Sequence, residues 1–207
     1  MGSVPQIPTA ALRRSIYRIQ AITIGWMSVE AVVALLAAWR ARSPALLGFG
    51  ADSAIELFSA IIVLWRFRSN GDSDRAEKLA ARIAGSLLFM VAACVVIGAW
   101  MALSGYRDPQ SSPIGIVLLV VAAFGMPWLA NQKRKLAVQV GSASLRADAA
   151  ESALCGYMSW IALAGLTTNA VFHKPWADPV AALALAPLVV KEGWEAIRVS
   201  RLRCQCC

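Results

Sequence analysis

Apolar residues run along this chain in blocks of helix length, separated by short polar stretches. The blocks are Tyr17–Trp39, Pro44–Trp65, Leu79–Leu103, Ile114–Ala130, Val140–Leu166 and Pro179–Trp194. A hydrocarbon core about 30 Å thick is crossed by roughly 20 residues rising about 1.5 Å each. The pattern therefore predicts an all-α fold, a polytopic bundle of six transmembrane helices. Between the blocks stand RFRSNGDSDRAEK, YRDPQSSP, the basic cluster Lys133–Lys135 and the segment Thr167–Asp178, all of loop composition. Pro44 suits the first turn of span two, and Asp178 reads as the N-cap of span six with Pro179 at its first helical position.

Composition agrees with this reading. Of the 207 residues, 58% are hydrophobic and only 15% charged, against about a quarter charged in a soluble domain. The net charge of +8 would suit a nucleic-acid partner in a soluble protein, but here it lies in the connections. Lys and Arg concentrate at the amino terminus, in the second–third and fourth–fifth connections and in the tail. The positive-inside rule then puts both termini in the cytoplasm, consistent with an even number of spans. The first apolar run is too long for the core of a cleaved signal and is expected to stay as span one. The expected organisation is a cytoplasmic segment over 1–16, a transport domain over 17–197 and a short cytoplasmic Cys-rich tail over 198–207. The setting is the plasma (inner) membrane, crossed several times.

The acidic residues change the picture most. Of twelve, Asp72, Asp74, Glu77, Asp108, Asp178, Glu192 and Glu195 fall in connections or at helix ends, while Glu30, Asp52, Glu56, Asp148 and Glu151 fall inside spans one, two and five. A carboxylate within a span costs several kcal/mol or so unless it is paired, protonated or hydrated. Asp52 and Glu56 are one helical turn apart, and Asp148, Glu151 and Cys155 share a face of span five. If the two faces meet, three carboxylates and a thiolate surround one ion: Asp52, Glu56, Glu151 and Cys155. Such a cluster needs a divalent cation or protons to neutralise it, which is the chemistry of metal-for-proton exchange. Glu30 and Asp148 are accessory candidates, Glu30 as ligand or as a structural hydrogen-bonding group and Asp148 as ligand or as ion-pair partner of Arg146. Cys155 alone reads equally as a small packing residue, and His173, the single histidine, as a surface residue. In the tail, Cys204, Cys206 and Cys207 form a CQCC that can capture a soft metal ion, or can be a disordered or lipidated end.

These residues resemble the cation diffusion facilitator family. ADSAIE (Ala51–Glu56) is similar to its second-span motif, LRADAAESALC (Leu145–Cys155) to its fifth-span motif and WADPVAALAL (Trp176–Leu185) to the opening of its sixth span. The resemblance implies that Asp52 and Glu56 take the two second-span ligand positions. Glu151 takes the position of the fifth-span histidine, Cys155 that of the aspartate, and Asp148 matches a preceding aspartate. It also implies export of divalent cations by proton antiport, usually as a homodimer. With histidine absent from the set, zinc, cadmium, lead, manganese and iron all remain open. The chain ends soon after span six, so the expectation is a member made of the transmembrane part alone, without the family's cytoplasmic C-terminal domain and dimerising through its membrane helices.

The expected function is thus a secondary transporter, not an enzyme, that moves a divalent metal ion out of the cytoplasm against protons through a mid-membrane site. It needs no cofactor beyond the transported ion and protons, and its partners are the metal, the lipid bilayer and a second copy, with no nucleic acid. The alternative is a non-transporting metal sensor or partner-binding membrane protein that uses the CQCC tail. An exporter of organic cations is a third reading.

Overall fold

Turn chemistry sets the helix boundaries. In a computed structural model describing residues 10–68, 74–106, 109–140 and 143–202, six helices follow one another: α1 (Ala10–Ala41), α2 (Pro44–Arg68), α3 (Asp74–Leu103), α4 (Pro113–Val140), α5 (Ala143–Phe172) and α6 (Ala177–Leu202). Arg42 adopts a left-handed backbone (φ 53°) and lets the Ser43 amide reach back to the Ala38 carbonyl at 3.1 Å, closing α1. Gly105 (φ 78°) closes α3 in the same way, with the Tyr106 amide on the Met101 carbonyl. Ser43 and Ser112 then cap α2 and α4, each hydroxyl accepting an amide proton of the first turn, from Leu46 at 3.0 Å and Gly115 at 3.1 Å. Pro44 and Pro113 follow at the first helical position, where their missing N–H costs nothing.

Two expectations are corrected. The fourth helix does not end at Ala130 but runs on through Pro127 to Val140, so Lys133–Lys135 is helical and Val140 belongs to α4 rather than to span five. Proline is tolerated inside a membrane helix when neighbours compensate. Here α5 nests against the ring, and a Cβ on Gly156 would stand 3.0 Å from Pro127 Cδ. Asp178, expected to cap α6, instead caps the neighbouring helix. Its Oδ1 accepts the Ser43 hydroxyl at 2.6 Å, and it also accepts the Ala45 amide, placing a carboxylate at the positive end of α2. Asp178→Ala is expected to cost roughly 1–3 kcal/mol, the usual penalty for stranding buried donors, and Asp178→Asn, which keeps an acceptor, less. Thermal unfolding in detergent checks the ranking.

Among the described residues, α1 to α4 are long and apolar enough to cross a membrane by length and composition. α5 and α6 are equally long but more polar, through Ser152, Ser159, Thr167, Thr168 and Asn169 on one and Lys191, Glu192 and Glu195 on the other. The packing shows where that polarity goes. α1 packs on α2, α2 on α5, α5 on α4 and α4 on α1, a closed ring of four helices. α3 and α6 form a tight pair that leans on α2 and α5. Apolar side chains such as Met27, Phe49, Leu119, Met126 and Met158 fill the ring. The outer surface carries Leu36, Ile97, Val117 and Phe124, and among its exposed tryptophans are Trp39, Trp100, Trp128, Trp160, Trp176 and Trp194, as suits a lipid-facing surface with aromatic interfaces. Helix association between such faces relies on small residues that let backbones approach. Gly85 and Gly193 bring α3 and α6 together, each with the other's carbonyl oxygen close to where a Cβ would stand.

Candidate metal-ion site

The ring encloses the acids. Glu30 of α1, Asp52 and Glu56 of α2, and Asp148 of α5 are all buried, and Glu151 is half-buried. They do not stand as a single cage. Among the described residues no three His, Cys, Asp or Glu side chains converge tightly enough to form a ready-made metal cage. Three neighbouring hydrogen-bonded groups divide them instead.

The first group surrounds Glu30. Its Oε1 accepts the Ser53 hydroxyl at 2.7 Å and the Cys155 thiol at 3.5 Å, and its Oε2 accepts the Trp26 indole N–H. Glu30, an accessory candidate from the sequence, is therefore the direct partner of Cys155, which is itself fully buried. The second group is Asp52 with Glu192 of α6, which share a side-chain hydrogen bond. Two carboxyl groups can share one only when a proton lies between them. Glu192 also interacts electrostatically with Glu151 and Glu56. The third group joins Glu56 to Asp148 through Ser152 and Lys133. Ser152 donates to Glu56 Oε1. Lys133 Nζ donates to Ser152 Oγ at 2.7 Å and to Asp148 Oδ1 at 3.0 Å, and lies 3.7 Å from Glu56 Oε1. Gln20 of α1 donates to Asp148 Oδ2 at 2.7 Å.

Of the predicted residues, the structure brings Asp52 and Glu56 to one wall of the ring and Asp148, Glu151 and Cys155 to the facing helix. Asp148 pairs with Lys133 rather than with Arg146, which is exposed. His173 is exposed at the end of α5, and Cys204, Cys206 and Cys207 lie outside the described residues. Sequence reasoning missed Glu192 and Lys133, which it assigned to a helix end and to a connection. It also passed over Ser152, although Asp148, Ser152, Cys155 and Ser159 follow one helical face.

A ring of membrane helices with acids on its inner wall suits the passage of a cation, and most of the chain bears the comparison. Residues 21–203 match the cation efflux transmembrane domain. The chain belongs to the cation efflux family. It is accordingly a multi-pass membrane protein of a transporter family, not an enzyme. It is also similar to the manganese efflux system protein MneS of Bacillus subtilis (strain 168), with 24% identity over 188 residues. That alignment covers 86% of this chain and 64% of the relative, so the chain spans less than two thirds of the relative's length. The match begins within α1 and ends just beyond α6, so every carboxyl of the three groups belongs to the cation efflux domain.

Proposed function

We propose that this chain exports a divalent metal cation from the cytoplasm in exchange for protons, and that the ion passes through a mid-membrane site built on Asp52, Glu56, Glu151 and Cys155. The observation that carries the reading is the gathering of buried and half-buried carboxyls from α1, α2, α5 and α6 inside a domain of the cation efflux family. Six carboxyl groups, Glu30, Asp52, Glu56, Asp148, Glu151 and Glu192, stand in this interior, where Lys133 is the one buried ammonium among the described residues. Low dielectric does not allow such an excess of negative charge to stand uncompensated. Protons compensate it in one state, as at Asp52 and Glu192, and a divalent cation in another. That alternation supports antiport, because metal ligation requires the same oxygens deprotonated.

The donor set favours a hard ion. Carboxylate oxygens suit manganese, and the relative's name points the same way, whereas the Cys155 thiol, held against Glu30, adds tolerance for zinc or cadmium. The reading includes inward-facing termini, a plasma (inner) membrane location, a transport domain over 17–197 and a homodimer joined through membrane helices.

The test is reconstitution of the full chain in liposomes that enclose a pH-sensitive dye, challenged with manganese, iron, zinc and cadmium in turn. Manganese is expected to drive the largest proton flux, and lipophilic organic cations are expected not to compete. Absence of metal-dependent proton movement with every ion tested would overturn the proposal.

A further inference from the structure

Lys133 has no exposed surface, although it begins the most basic stretch of α4 and its neighbours Arg134 and Lys135 both face outward. A buried ammonium is tolerated only when paired and hydrogen-bonded. Its partners come from two helices: Asp148 and Ser152 on α5, and Glu56 on α2. Asp148 has both oxygens occupied, one by Lys133 and the other by Gln20. Glu56 does not. Its Oε1 takes Ser152 and the field of Lys133, while its Oε2 is buried with no hydrogen-bond partner. One oxygen of this carboxylate is thus held by a fixed cation and the other is open to a second one.

Resting on the exporter reading above, we infer that Lys133 is a tethered counter-cation, whose ammonium holds Glu56 and Asp148 and competes with the transported metal for them. A divalent ion bound at Glu56 Oε2 would stand within a few ångströms of the ammonium, in a low dielectric where like charges repel strongly. Lys133 therefore weakens metal binding. The flexible four-carbon stem lets the ammonium withdraw as the metal enters and return as it leaves. The role needs no change in the protonation of Lys133; its fixed positive charge is sufficient. It differs from simple structural pairing in the sign of its effect on affinity, because a structural lysine supports the site whereas a competitor opposes its filling.

The experiment is calorimetric titration of manganese(II) chloride into the detergent-solubilised full chain at mildly alkaline pH, together with flux in liposomes. Lys133→Gln is expected to bind manganese about tenfold more tightly or better, with KM lowered and maximal flux lowered too, because release loses its competitor. Lys133→Arg keeps the charge and is expected to stay near the wild-type affinity. Arg134→Gln and Lys135→Gln, on the outer surface, are expected to leave both readouts unchanged. Should Lys133→Gln fail to fold, Lys133→Met combined with Asp148→Asn removes the charge and its principal partner together and carries the same expectation. Unchanged or weaker binding in the folded neutral variant overturns the inference while leaving the exporter reading in place. Failure of the wild-type chain to bind or move any metal overturns the exporter reading and this inference with it.

Discussion

Asp52→Ala and Glu151→Ala are each expected to reduce metal-dependent proton flux in liposomes by about 100-fold or more, down to the leak. Losing one member of a buried charged contact costs roughly 2–5 kcal/mol, and each 1.4 kcal/mol or so is a factor of ten. Asp52 is doubly placed, since in the proposed site it offers an oxygen to the cation, and it also hydrogen-bonds Glu192. On the proposed mechanism its replacement removes a ligand and one of the groups that would carry the counter-moving proton. Glu195→Gln is the control. Glu195 lies one turn from Lys191 in a pair whose side chains are 63% and 58% exposed, where an ion pair contributes little. Flux that survives in both Asp52→Ala and Glu151→Ala would remove these residues from the transport path, whatever the family.

The second large effect is on assembly. Gly165→Ala is expected to destabilise the bundle by about 1–3 kcal/mol, the range for overpacking a close contact, and Gly165→Val by more. A Cβ on Gly165 would lie 2.4 Å from Ala181 Cβ and 3.1 Å from the Ala177 carbonyl oxygen. Both atoms are fixed to the α6 backbone, so no side chain can swing away. Ala181→Gly added to Gly165→Ala should recover part of the loss, because it removes the nearer clash and leaves the carbonyl contact. Melting temperatures of the purified single and double variants decide the matter. A neutral Gly165→Ala would mean that α5 and α6 stand farther apart than described.

The helices were legible in the sequence because an apolar window of bilayer length has few other uses. Their ends were less so. Hydropathy reports the segment that meets lipid and is blind to the turns beyond it, which is why Ile114–Ala130 fell ten residues short of the end of α4 at Val140. The carboxyls of α2 and α5 were legible through their helical spacing and their cost in hydrocarbon. Glu192 was not, since it lies close to Lys191, Glu195 and Arg198 and only the packing of α6 on α2 turns it toward Asp52. Lys133 was hidden for a similar reason. Three basic residues in a row look alike in sequence, but successive positions on a helix point about 100° apart, so one can face the interior while the next two face outward. The capping role of Asp178 was misread because local spacing names the nearest helix, and its partner Ser43 is 135 positions away.

Lys133 lies near the end of α4 and Asp148 and Ser152 near the start of α5, and their register acts as a ruler for the polar interior. Their meeting depends on how far α5 has advanced along α4 and turned about its own axis. One residue inserted in the first turn of α5, before Asp148, would shift the rest of that helix by about 1.5 Å along its axis and turn it by about 100°. Asp148, Ser152 and Cys155 would swing off the inner wall as a block, leaving Lys133 without Asp148 and Ser152, and Glu30 without the Cys155 thiol. The spacing between Lys133 and Asp148 is thus as much a part of the polar interior as the side chains themselves.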